Sequence, residues 1–151
     1  MYHSTKRNLT LLSVLALVAL GLSGCSNSSS SGLNVTTPTP SQSTETFTGS
    51  IGQNGTAVQP FTVKNDGYTV LAGYTSLSPT TMTTLGMGIG YWDATTSTCG
   101  LNVLQADAAK VGSTALSGTA YAGNYCIRVY DAGNITDSSV TVTYTFQVQH
   151  Y

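Results

Sequence analysis

Few residues in this chain could do chemistry. Its 151 residues include three cysteines, two histidines and six carboxylates. A nucleophile activated by a base would have to borrow His150, the next-to-last residue, where chain ends fray. The other histidine, His3, belongs to an amino-terminal segment with the pattern of a removable leader. No Gly-x-Ser-x-Gly elbow is present to expose a serine. Asp93, Asp107, Asp131 and Asp137 could pair as acid and base. Each falls at an expected loop or strand end, where solvated carboxylates are the plainer reading. No catalytic residue is assigned, no cofactor is expected, and the chain reads as a non-enzyme.

Two further patterns invite a ligand. Gly86-Met87-Gly88-Ile89-Gly90 has the glycine density of a phosphate loop. It sits inside a strand pattern with no helix to follow, so it lacks the helix N-terminus that such a loop requires. Leu85, Met87, Ile89 and Tyr91 alternate with the glycines, which predicts one apolar face and one flat or closely approached face. The aromatics are the better hint. Tyr91 and Trp92 are adjacent, so in a strand they face opposite ways, one to the core and one outward. An outward Trp92, with Tyr91, Tyr74, Tyr68, Tyr121 or Tyr130, could form a platform for sugar rings. Half-buried packing with the hydroxyl at the surface is the competing reading for the tyrosines.

The elements that must position these residues are strands. Val140, Val142, Tyr144, Phe146 and Val148 alternate with Thr141, Thr143, Thr145, Gln147 and Gln149, a period of two with one buried face. The same texture predicts strands over 46–51, 57–63, 68–77, 82–92, 99–105, 113–120 and 125–130. Turn signals separate them: Gly52-Gln53-Asn54-Gly55, Lys64-Asn65-Asp66-Gly67, Ser78-Pro79, Ala122-Gly123-Asn124 and Asp131-Ala132-Gly133-Asn134. About eight strands without a helix predict an all-β, antiparallel two-sheet sandwich, with a jelly roll as one arrangement. Residues 46–151 form this domain, an ordinary size for one core.

The amino-terminal end reads differently. Lys6 and Arg7 precede an apolar stretch from Leu9 to Leu22, too short for a span of about 20 apolar residues. With no stop-transfer pattern after it, the stretch reads as a secretory signal over residues 1–24. Leu22-Ser23-Gly24-Cys25 resembles the bacterial lipobox. That resemblance implies that the Cys25 thiol is alkylated with diacylglycerol and that Cys25 becomes the acylated first residue of the mature chain. Its partner would then be the membrane, through two or three acyl chains that scarcely dissociate. Ser26 resembles the sorting signal for the outer membrane, so the resemblance implies an exported, lipid-anchored protein there. Residues 25–45 form the anchor and a Ser/Thr/Pro-rich linker that cannot bury enough apolar surface to order itself. The nineteen residues from Ser26 to Thr44 would reach roughly 65 Å stretched and about 25 Å relaxed.

Cys25 leaves Cys99 and Cys126, both in the exported part, where oxidising conditions permit a disulfide. The alternatives are a metal or a reactive thiol; two cysteines without a nearby histidine make a poor zinc set. From Cys25 onward, three basic residues stand against six acidic ones, a formal charge of −3. No basic patch is present to neutralise phosphates, which excludes nucleic acid as a partner.

The domain resembles the bacterial pre-peptidase C-terminal domain, a β-sandwich appended to exported proteins. Phe47-Thr48-Gly49-Ser50-Ile51 and Pro60-Phe61-Thr62-Val63 resemble its opening strands. Leu85 to Trp92 followed by Cys99 resembles its central strand and loop, and Cys126 to Asn134 its penultimate strand and turn. The family usually rides beside a catalytic domain, and none is read here, so the resemblance implies a free-standing accessory module. Some relatives of the fold bind calcium through clustered acidic residues. Asp131, Asn134 and Asp137 are the candidates here, though calcium takes six to eight oxygens and turn formation explains the same residues. The expectation is a non-catalytic envelope lipoprotein whose tethered sandwich mediates binding, adhesion or assembly, with an envelope protein or glycan as partner. The alternative is a carbohydrate-binding module acting on glycan or peptidoglycan.

Overall fold

A computed structural model describes residues 37–151. The expected signal segment, Cys25 and the linker up to residue 36 lie outside the described residues. The remainder is all-β: β1 (Ser43–Ile51), β2 (Thr56–Val63), β3 (Tyr68–Ser78), β4 (Thr84–Asp93), β5 (Thr98–Lys110), β6 (Leu116–Ala120), β7 (Gly123–Tyr130) and β8 (Val142–His150). They form two four-stranded antiparallel sheets, ordered β1-β8-β3-β6 and β2-β7-β4-β5. The pairings are nested: β1 with β8, β2 with β7, β3 with β6, β4 with β5. A long hairpin rolled up in this way is a jelly roll, the arrangement the sequence left open.

Alternation decides which side chains enter the core. On β8, Val142, Tyr144, Phe146 and Val148 are buried between the sheets, while Thr143, Thr145, Gln147 and Gln149 face outward. From the facing sheet come Phe61 and Val63 of β2, Leu85, Met87 and Ile89 of β4, and Tyr125, Ile127 and Val129 of β7. Phe146 stacks on Phe47 at 5.2 Å and meets the edge of Tyr74 at 6.3 Å between ring centroids.

The glycines of β4 take the other face, as their alternation predicts, and Gly86, Gly88 and Gly90 are buried there. Gly86 stands opposite Tyr130 of β7, whose ring lies where a Cβ on Gly86 would be. In the turn that carries the chain from β1 in one sheet to β2 in the other, the Gly55 amide donates to the Gly52 carbonyl at 2.9 Å, with Asn54 at φ 55°.

Several strand limits differ from the sequence reading. Strand β1 begins at Ser43, and Ser43, Thr44 and Glu45, placed by the sequence in the linker, pair with His150, Gln149 and Val148. Strand β5 runs to Lys110 instead of stopping at Gln105. Its low-propensity stretch Ala106-Asp107-Ala108-Ala109 is held by pairing with Met87 and Leu85 of β4, which overrides local preference. Strand β6 is shorter than expected, because residues 113–115 bend back over β3. There the Gly112 and Ala115 amides donate to the Tyr74 and Ala72 carbonyls, each at 2.9 Å.

Candidate binding site

The outer face of the second sheet carries the chemistry singled out in the sequence. Strand β4 pairs Tyr91 with Tyr125 and Gly90 with Cys126 of β7; on its other side Trp92 pairs with Cys99 of β5. The register puts Cys99 and Cys126 next to each other across the glycine stripe. They form the expected disulfide, with Cα atoms 5.8 Å apart, and both are buried. Arg128, two residues on from Cys126 and therefore on the same face, donates from Nη2 to the Cys99 carbonyl at 3.1 Å. Tyr130 follows at the next outward position and donates its hydroxyl to Asp107. Burial, then this hydrogen bond to Asp107 and the charge of its carboxylate, pushes the Tyr130 hydroxyl up to about 12.

Hollows flank the two ends of this face. One, of about 430 Å³, is bordered by Asn54, Thr56, Asp107, Arg128, Tyr130 and Asp131. The other, of about 630 Å³, opens where the edge strands β1 and β2 lie side by side, bordered by Glu45, Phe61, Thr62, Lys64, Trp92 and His150. Trp92 is half-buried at its margin. Its indole therefore offers an apolar surface beside a hydroxyl (Thr62), an ammonium (Lys64) and a carboxylate (Glu45), with the Asn124 amide also lining the hollow. This mixture of one aromatic plane and a few polar groups suits ligand contact better than catalysis.

Neither Tyr91 nor Trp92 enters the core, contrary to the reading that one of them would. Tyr91 has core parity, but it lies at the far end of β4 and is 60% exposed. Its ring leans on Tyr125 at 5.3 Å, and Tyr125 in turn stacks on Phe61 at 5.8 Å. Tyr74 cannot belong to a platform. It is 1% exposed, packed among Tyr144 and Phe146, and its hydroxyl donates to the Gly86 carbonyl at 3.0 Å. Burial, with the nearby Tyr144 and Tyr130 hydroxyls, raises the pKa of Tyr74 far above the ordinary tyrosine range. Tyr68 stacks on Tyr151 at 4.6 Å, while Tyr121 stands 69% exposed on its own turn.

The carboxyl-terminal histidine does not fray. His150 is 3% exposed, tilted against the Phe61 ring at 5.5 Å, with Nε2 and Glu45 Oε1 2.7 Å apart. The carbonyl of Tyr151 accepts from the Lys64 amide at 2.8 Å, which ties the chain end to the β2–β3 turn. The signal lay in the sequence: the alternation of β8 continues through His150, which gives it core parity.

The calcium candidates are occupied by turn formation. Oδ1 of Asp131 accepts from the Gly133 and Ile135 amides, each at 3.0 Å, and Oδ2 from the Asn54 amide at 2.9 Å. Burial pushes this carboxyl up, but hydrogen bonds from the Ile135, Asn54, Asn134 and Gly133 amides outweigh it and hold the pKa below the ordinary value. Asp137 accepts from the Ser139 amide at 2.8 Å and its hydroxyl at 2.7 Å, and these bonds hold its pKa low as well. The Asn134 side-chain amide donates to Thr84 Oγ1 at 3.0 Å. The three residues thus serve separate structural hydrogen bonds, and among the described residues no cluster of three or more metal-binding side chains forms.

No family model matches this chain, and no curated protein matches it. Among solved structures, the fold is similar to the crystal structure of Aeromonas hydrophila PliG, a periplasmic lysozyme inhibitor of g-type lysozyme. The similarity has a TM-score of 0.47 at 14% identity and covers 70% of this chain and 83% of that one.

Proposed function

We propose that this chain is a non-catalytic envelope lipoprotein, anchored through Cys25, whose sandwich binds an envelope protein through the hollow beside Trp92. The observation that carries this reading is the half-open indole at the margin of a cleft of about 630 Å³. Aromatic side chains of this kind supply large contact area at low conformational cost. A non-catalytic role is supported by His150, the imidazole nearest the cleft, which Phe61 and Glu45 enclose. It is also supported by the turn carboxylates of Asp131 and Asp137, which hold backbone amides. Anchoring and outer-membrane placement rest on the Leu22-Ser23-Gly24-Cys25 pattern and on Ser26. The likeness to the pre-peptidase C-terminal domain supports an accessory role.

Glycan binding is the second reading, favoured by the hydroxyl and amide of Thr62 and Asn124 in the same cleft as Trp92. In-cell photocrosslinking of the full chain, with and without Trp92→Ala, combined with a glycan array separates the two. A defined protein adduct lost in the variant is the expected result. Saturable glycan binding lost in the variant, with no protein adduct, would replace the first reading by the second. Adducts and glycan signals unchanged by Trp92→Ala would sink both.

A further inference from the structure

The four edges of the two sheets are not equally guarded. Edge strands carry unpaired backbone groups, and proteins blunt them with prolines, bulges, charges or short length. Strand β2 carries Pro60 at its edge. Strand β5 loses register against β4 at three places and bears Asp107 and Lys110. Strand β6 is only five residues long. Strand β1 carries only one of them, the charge of Glu45, which His150 Nε2 meets at 2.7 Å. It runs nine residues in unbroken register, from Ser43 opposite His150 to Ile51 opposite Val142, without proline, lysine or arginine. Among the described residues, its ladder is with β8 alone.

We propose that two copies of this chain pair antiparallel through β1, joining their first sheets into one continuous eight-stranded sheet. The order of side chains on β1 is self-complementary about Phe47. A two-fold axis there sets Phe47 against Phe47 of the second copy and Thr46 against its Thr48. It also sets Thr44 against Ser50 and Glu45 against Gly49. The one charge on the strand therefore meets a glycine and never its own copy, so no like charges oppose each other. Phe47 is only partly buried at the edge of the core, against Phe146, and the two-fold would cover its open side. On the outer face, Thr44, Thr46, Thr48 and Ser50 are exposed and uncharged, as are Thr143, Thr145, Gln147 and Gln149 of β8 in their charge. On that outer face an added strand extends a neutral hydroxyl and amide surface, and Glu45 on the inner face is the one ion the contact approaches. Such an isologous contact closes on itself and does not propagate. One strand ladder buries less than the roughly 1,200–2,000 Å² of a stable complex, so the dimer forms reversibly and depends on concentration.

The test is covalent trapping of the full chain in its membrane. In Thr46→Cys/Thr48→Cys, each new thiol faces the other position of the second copy, at a Cβ separation of about 5 Å. Mild oxidation should give a dimer on non-reducing gels that thiol reduces to monomer. The pair Thr143→Cys/Thr145→Cys, on the same face but on the interior strand β8, should give none. Equal trapping by both pairs, or by neither, overturns the proposal. A second measurement does not need new thiols. Thr46→Lys/Thr48→Lys sets lysines against lysines across the two-fold and should weaken self-association of the detergent-solubilised chain roughly tenfold by sedimentation. An unchanged association constant, or no association of the wild-type chain, also overturns it.

Discussion

Removing the bridge between Cys99 and Cys126 should be among the costliest double changes on the second sheet. The two cysteines are 27 residues apart, and the loop they close contains β5, β6 and the start of β7. In the chain-entropy account, a loop of that length restricts the unfolded ensemble by about 3.5 kcal/mol at 25 °C. Cys99→Ala/Cys126→Ala releases that restriction. It also loosens the Cys99 carbonyl, which holds Arg128 at 3.1 Å. The expected loss is therefore about 3–4 kcal/mol. With a urea dependence of about 1–3 kcal/mol per molar, the unfolding midpoint should fall by roughly 1–3 M. The melting temperature should fall by about 15–25 °C. Equilibrium urea unfolding followed by tyrosine and tryptophan fluorescence reads both states, and wild-type protein in reductant should coincide with the double variant. A loss under about 1 kcal/mol, or a reduced wild type as stable as the oxidised one, would refute the claim that this closure constrains the chain.

Two other predictions concern turn chemistry and the chain end. The pKa of Asp131 is depressed in the folded state, so its contribution is fully present above the unfolded value of about 3.9 and fades as pH falls through the folded value. Asp131→Ala should cost about 1 kcal/mol at pH 7, a value kept modest because the carboxylate is partly solvated. That deficit should narrow below pH 4; one that stays constant to pH 2 would show that the charge is not what matters. Deleting His150 and Tyr151 removes a buried ring, the Glu45 contact and the acceptor for the Lys64 amide. The truncated chain should lose at least about 2 kcal/mol in thermal or urea unfolding; an unaltered midpoint would mean that the end is not part of the core.

Much of the fold was legible because alternation is a direct record of facing two environments. Strand β8 and the Leu85-Met87-Ile89 face of β4 could be read by period alone, and the odd cysteine count pointed to the Cys99–Cys126 bridge. Limits set by a neighbour were not legible. Ala106 to Lys110 has little strand preference of its own and is a strand only because β4 lies beside it. Ser43 to Glu45 looks like linker until the last residues of β8 are placed against it. The candidate site was half legible. Trp92 stood out by type, but Tyr74 could not be separated from it, because an outward aromatic and one whose hydroxyl finds a buried carbonyl are written with the same letter. His150 was misjudged by its position near the terminus, although its parity already assigned it to the core.

The nested pairing of first strand with last has a consequence for how this molecule comes into being. Strand β8 lies between β1 and β3, so the first sheet lacks its centre until the final nine residues of the strand order are in hand. A chain made amino end first keeps the apolar strands of that sheet uncovered until β8 is complete. Most of its contacts join distant parts of the chain, which makes assembly slow as well as late. Anything attached at the carboxyl end, or any stop that cuts the chain short, acts on the step that completes the sheet.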